Sequence, residues 1–339
     1  MLKKNIFKVA LIGCLALGAA ACNDGDLDPN SIFSTENEEL DPTSSTYQLD
    51  KFCEDSIRAK YNMEFRFKMK DVSSDMNYNL VPATYQNSLD LAVLTKYFWL
   101  DVYDKVVPDK TFLKQYAPRV LQLIGSLAIN TTNHTVKLGY AEGGLMITYL
   151  GVNNLKVTDL DDMNQYFFIT MHHEFAHILH QTKTYPKRFD LLSVGHYDAL
   201  GWQDRNSNVV ASLGFTTPYA SSQPREDFAE TIAQYITMSQ TNWDALLENA
   251  SKGWTSDGKP AATDTDGVDG RDLILQKVEI ARQWLRESWG TDLDALREEV
   301  QARQDAYRAQ VSTLTLLNEL RRQVTDIPVP GANSNVDNN

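Results

Sequence analysis

The sequence predicts an α+β fold: a small mixed sheet, then one long helix carrying a cluster of histidines, then a mostly helical second half. Three observations point there. Apolar and charged residues alternate along 63–69, with Phe65 and Phe67 on one face. Two further strand-like runs, 135–140 and 145–151, are joined by Ala141-Glu142-Gly143-Gly144, whose glycines mark a tight turn. From about residue 161 onward, apolar residues recur mainly at helical spacing.

At the start of the chain, Lys3, Lys4 and Lys8 precede an apolar run from Val9 to Ala21 that is too short to span a bilayer. Residues 1–21 therefore read as a secretory signal. Ala19-Ala20-Ala21 directly before Cys22 resembles a bacterial lipobox, which implies cleavage before Cys22 and acylation of that residue. An ordinary signal with a soluble secreted product is the alternative. Residues 22–45 are dominated by Asp, Glu, Asn, Ser, Thr and Pro, too polar to bury a core, and read as a flexible acidic tether. Asp24, Asp26 and Asp28 are spaced as in a calcium loop, but Pro29 stands where that loop needs glycine, so calcium is rejected.

The folded domain is expected over 46–325. Helical spacing covers Leu49 to Tyr61, Ser88 to Tyr103 and Lys110 to Leu123, and Val81-Pro82 opens a new section between the first two. Asp161 or Asp162 can cap a helix running to about Gln181. About forty loop-rich residues follow, then a helix from Ser222 to about Met238 with Pro224 in its first turn, where its missing N–H costs little. Gly253 to Asp272 reads as an exposed loop; Val268 replaces an oxygen ligand there, again excluding calcium. Leu273 to Ser288 and Asp292 to about Val324 read as two charged amphipathic helices, separated at Trp289-Gly290-Thr291. Residues 326–339 read as a disordered tail.

With 339 residues and a formal net charge of −13, the chain is an unfavourable partner for nucleic acid and for anionic lipid. Of three cysteines, Cys14 lies in the signal and Cys22 at its end. Cys53 is left without a partner and is expected to be a buried apolar residue.

The chemistry concentrates in His172-His173-Glu174-Phe175-Ala176-His177-Ile178-Leu179-His180, which holds four of the six histidines and contains HExxH. On a helix, residues four apart share a face, so His173 and His177 can bind one Zn2+ while Glu174 flanks the open side as general base. A catalytic zinc needs a third protein ligand and an open position. His180 and Lys183 stand where the metzincin pattern needs glycine and histidine, so that solution is excluded. Glu226-Asp227-Phe228-Ala229-Glu230 supplies two carboxylates four apart. Glu226 would bind zinc, and Glu230 would accept a hydrogen bond from a zinc histidine, while Asp227 points elsewhere. His180 shares the ligand face and is assigned to the cleft wall or to support of a ligand; His172 should point away.

HExxH with E-x-x-A-E resembles the gluzincin branch of zinc metallopeptidases. The wording of the two motifs is similar to the substrate-import-associated zinc metallohydrolase lipoproteins of the Bacteroidota, as are the lipobox, the Ala141-Glu142-Gly143-Gly144 turn and Trp289-Gly-Thr-Asp-Leu-Asp-Ala-Leu-Arg297. The resemblance implies a zincin-like fold, one catalytic zinc, hydrolysis of peptide bonds, and an outer-membrane, lipid-anchored, surface-exposed location. It also implies a SusC/SusD-type import complex as neighbour and a peptide or glycopeptide as substrate. Asp24, Asp26 and Asp28 resemble the acidic export signal of such lipoproteins. In related toxins a tyrosine seven residues before the glutamate ligand donates to the oxyanion, and Tyr219 stands there, with His196 as the competing candidate. A binding lipoprotein with little turnover is the alternative reading, though Glu174 has no purpose in it. Residues 145–151 are expected to pair with an extended substrate.

Overall fold

The computed structural model describes residues 39–69, 80–129, 136–137, 139–142, 145–261, 267 and 269–331. The expected signal, Cys22, most of the tether, Gly143-Gly144, most of the second calcium-like stretch and the end of the tail lie outside them. The chain divides into two units, Met1–Asp41 and Pro42–Asn339, and every described helix and strand belongs to the second. No described helix is long and apolar enough to cross a membrane.

Helix α1 (47–61) leads into β1 (Glu64–Arg66), and α2 (85–106) is capped by Thr84, whose hydroxyl accepts from Asn87 N–H. The helix expected over 110–123 is instead α3 (Phe112–Tyr116) followed by β2 (Val120–Leu123). Pro118 explains the change, because it lacks an N–H and biases Ala117 away from helix, and Ala117 adopts ψ 150°. Strands β3 (Ala128–Ile129) and β4 (Val136–Lys137) form a small ladder, while β5 (Gly139–Glu142) and β6 (Met146–Tyr149) form a hairpin in which Ala141 and Glu142, expected in the turn, are strand residues and 136–137 pair elsewhere.

The main sheet has the order β1-β2-β6-β5, parallel except for the antiparallel β5. This corrects one expectation. Both edges of β6 are occupied, by β2 and β5, so residues 146–149 cannot pair with another chain. The strand beside the histidine helix with one unpaired edge among the described residues is β5.

Helix α4 (160–182) begins after Asp159, whose carboxylate accepts from Asp162 N–H, rather than at Asp161 or Asp162. It passes through a π-helical segment, Asn164–Phe168, before the regular stretch Ile169–Thr182. The loop-rich stretch after it holds two short helices, α5 (Arg188–Leu192) and α6 (Ser207–Ser212), and two 3₁₀ turns, Trp202–Asp204 and Tyr219–Ser222. Helix α7 (Pro224–Thr237) packs on α4. Ser222 falls in the preceding turn and Gln223 is the N-cap, with no side-chain bond.

Helix α8 (Gln240–Ala250), not anticipated, is capped by Ser239. Helix α9 (Gly270–Trp289) ends at Gly290, whose φ of 62° is the left-handed cap that glycine adopts without cost. The last predicted helix is two, α10 (Leu293–Gln310) and α11 (Thr315–Thr325), broken where Leu314 takes φ 53°. Thr313 favours that break: its Oγ1 donates to the Gln310 carbonyl, which a continuous helix would use, and lies 2.7 Å from Thr315 Oγ1.

One large core underlies the site. Phe175 of α4 meets Trp99, Tyr103 and Phe112 edge-on at 5.3, 5.1 and 5.8 Å. Phe228 of α7 stacks on Tyr185 at 4.1 Å and meets Trp284 of α9. These rings fix the rotation of the two helices about their axes, which decides which way their polar faces point. Cys53 is buried in the same core.

Candidate metal centre

Helix α4 places His173 and His177 one turn apart, and α7 brings Glu226 from its first turn to the same point. His173 Nε2 and His177 Nε2 are 3.0 Å apart, and Glu226 Oε2 lies 3.1 Å from the first and 3.0 Å from the second. Among the described residues these three form the one group of metal-ligating side chains that converges. Two imidazole nitrogens and a carboxylate oxygen are a donor set of catalytic zinc, and ligands of a tetrahedral zinc at about 2.0–2.1 Å stand about 3.3 Å apart. The triangle fits that ion.

Each of the three has its own support. Glu226 Oε1 accepts from Gln223 Nε2 at 3.1 Å, leaving Oε2 for the histidines. Burial pushes the Glu226 carboxyl up, but His173 and His177 outweigh it and hold it well below the usual range. Glu230 Oε1 lies 2.9 Å from His173 Nδ1, bent away from the ring N–H direction, while its Oε2 accepts from Thr217 Oγ1 and Gln234 Nε2. Burial opposes protonation of His173, yet Glu226 and Glu230 raise it to about 10 in the metal-free chain. His180 Nε2 lies 2.7 Å from His177 Nδ1. Burial, then the charges of His177 and Arg225, lower His180 to about 4, so its neutral ring accepts from His177 Nδ1–H and holds that ring in place.

Glu174 is largely buried beside these groups. Burial raises its carboxyl, with Glu226 and Glu230 acting in the same sense and His173 and His177 against it. A carboxylate with a raised pKa is a better proton acceptor near neutrality. Tyr219, on the 3₁₀ turn before α7, tilts over His173 with ring centres 5.8 Å apart, and its hydroxyl feels the charge of Glu226. Burial and the Glu226 charge keep that hydroxyl protonated, hence a donor.

The structure thus brings His173, Glu174, His177, Tyr219, Glu226 and Glu230 together. His172 turns into the core, its Nδ1 3.1 Å from the Tyr103 hydroxyl, and burial lowers it to about 3. His196 is tied through its backbone, donating to the Ser193 carbonyl and accepting from Arg205, and it stands outside the converging group.

Comparison with known proteins agrees with this geometry. The family model described as "Putative zinc-binding metallo-peptidase" matches residues 42–294. The chain belongs to this family. It is also similar to a crystal structure at 2.10 Å described as a "putative zinc-binding metallo-peptidase" from Bacteroides caccae, with 35% identity and a TM-score of 0.64, covering 84% of this chain and 98% of the other. Comparison with curated proteins finds no match.

In this zinc-binding metallopeptidase family member, several supporting residues escape sequence reasoning. Asp227 turns away from the triangle, as the helix phase requires, and pairs with Lys277 of α9 at 2.6 Å while accepting from the Tyr197 hydroxyl. Lys277 could have been noticed: it sits between Ile274 and Val278 on one side and Ala281 on the other, inside the apolar stripe of α9. Thr217, Gln223 and Gln234 carry no comparable signal, since polar residues before and along a helix are common.

Proposed function

We propose that this protein is a zinc-dependent peptidase of gluzincin type on a zincin-like fold. The observation that carries the reading is Glu174, a largely buried carboxylate with a raised pKa, set beside the convergent His173, His177 and Glu226. When bound, Zn2+ supplies Lewis-acid polarisation of a carbonyl and brings the pKa of water toward neutrality. Glu174 accepts the proton of the attacking water and passes it to the leaving amine. Tyr219 donates its hydroxyl hydrogen to the oxygen that gains charge. Glu230 and His180 hold the two ligand rings, and the edge of β5 away from β6 takes the substrate backbone in extended form.

Glu174→Gln leaves all three ligands in place, so it should retain zinc while losing peptide hydrolysis by about 10²-fold or more. Undiminished cleavage of a peptide library by this variant would sink the assignment. By the same proposal Cys22 carries acyl chains that hold the enzyme on the outer surface of the outer membrane, beside a SusC/SusD-type importer that receives peptide or glycopeptide products. Labelling with a fatty-acid analogue checks the anchor, since Cys22→Ala should abolish it.

A further inference from the structure

Four of the eight large hydrophobic side chains exposed among the described residues fall between residues 191 and 219: Leu191, Val194, Leu200 and Tyr219. Leu200 is 96% exposed, at the tip of a turn that is firmly built. Asp198 accepts from Leu200 N–H and Gly201 N–H at 3.2 and 2.8 Å, an Asx turn that projects Leu200 outward. A Cβ at Gly201 would come within 2.4 Å of the Asp198 carboxylate. The Asp198 N–H donates to the Ser221 carbonyl, and Arg205 donates to the His196 carbonyl, so the turn is fastened to the segment that carries Tyr219. Trp202, two residues on, packs its ring against Tyr219 at 4.9 Å.

A single exposed leucine is ordinary, but an ordered leucine–tryptophan tip fastened to the site is not required for folding. Two nearby charges are engaged, the Asp198 carboxylate by the turn and the Arg205 guanidinium by the His196 carbonyl and the Phe215 ring, while the exposed Asp204 follows Trp202 on the same 3₁₀ turn. The two ring-to-ring steps, 4.9 and 5.8 Å, keep Trp202 within about 11 Å of His173, about three residues of extended peptide at ~3.3 Å each.

We infer that Leu200 and Trp202 form a subsite for a large apolar or aromatic side chain of the substrate, within about three residues of the scissile bond. The inference rests on the peptidase reading for the identity of the ligand as a peptide, and binding tests it without turnover. The zinc-loaded Glu174→Gln protein is titrated with two hexapeptide sets that differ in having Phe or Leu against Ser at one position. The apolar set should bind more tightly by about 10-fold or more, since one apolar side chain in such a contact discriminates by about 10- to 200-fold. Leu200→Ser and, separately, Trp202→Ala in that background should bring the ratio toward one. Leu200 is so exposed that its replacement leaves folding intact, which guards against an unfolded Trp202→Ala. A ratio near one in the Glu174→Gln protein, or a ratio unmoved by both replacements, overturns the subsite. A preserved preference with no cleavage by the wild-type enzyme would instead overturn catalysis and leave the subsite standing.

Discussion

Asp227 and Lys277 form an ion pair at 2.6 Å in which both side chains are fully buried, joining the helix that carries Glu226 to α9. Burial raises the Asp227 carboxyl and lowers the Lys277 ammonium, and each partner opposes the shift in the other. The remaining valences are met: Lys277 also donates to the Gly214 carbonyl at 2.6 Å and lies 4.2 Å from the Phe215 ring, and Asp227 accepts from Tyr197. Breaking such a pair from one side strands a charge in the interior. Lys277→Met should therefore cost about 3–5 kcal/mol of stability, and Asp227→Leu combined with Lys277→Met clearly less than the sum of the two single changes. Urea denaturation of the three variants checks this, and additive costs would refute the coupling.

Metal affinity should separate Glu226 from Glu230, although both are glutamates of one helix face. Glu226→Gln removes a donor atom of the triangle and should leave the purified protein without stoichiometric zinc. Glu230→Gln removes only the carboxylate beside His173 Nδ1 and should weaken zinc about 10- to 100-fold. Competition with a chromogenic chelator measures both. Equal losses would contradict the division of labour.

Phe175 shows the cost of fixing the histidine helix by packing. It is fully buried among Trp99, Tyr103 and Phe112, so Phe175→Ala should destabilise the protein by about 3–5 kcal/mol. Thermal unfolding of the metal-free protein reads this directly, and a loss below about 1 kcal/mol would mean that the ring cluster does not hold α4.

The two faces that build the candidate metal centre are legible in the sequence because helix periodicity is local: spacing of four fixes a shared face for His173 and His177, and again for Glu226 and Glu230, whatever surrounds them. Helical stretches with a clear apolar stripe are legible for the same reason. Residues 110–123 mislead because β2 is a strand only by virtue of pairing with β1 and β6 on either side, and such pairing leaves no periodic trace in four residues. The break at Leu314 hides in a sequence whose apolar spacing continues through it. Tyr197 and Thr217 act across the fold, at distances in the chain that no local pattern records, whereas Lys277 stands out in the apolar stripe of α9 but its partner Asp227 does not.

Acid should unfasten α10 from α9 through Asp294. Arg282 grips its carboxylate with two bonds, Nε to Oδ2 at 2.8 Å and Nη2 to Oδ1 at 3.0 Å, and the Tyr235 hydroxyl of α7 adds a third at 2.6 Å. Partial burial pushes the Asp294 carboxyl up, but Arg282 and Tyr235 outweigh it and hold it below the ordinary value. A depressed carboxyl pKa means that the folded state binds fewer protons than the unfolded chain. The stabilisation is therefore present above the unfolded value of about 3.9 and is lost as pH falls through the lower folded value. Because the pair is partly solvent-exposed, its worth at neutral pH is about 1 kcal/mol rather than that of a buried pair. Asp294→Asn should cost this much at pH 7 and progressively less below pH about 4. Urea denaturation of both proteins across that range gives the comparison, and a gap that stays constant or widens on acidification would show that Asp294 is not held as an ion.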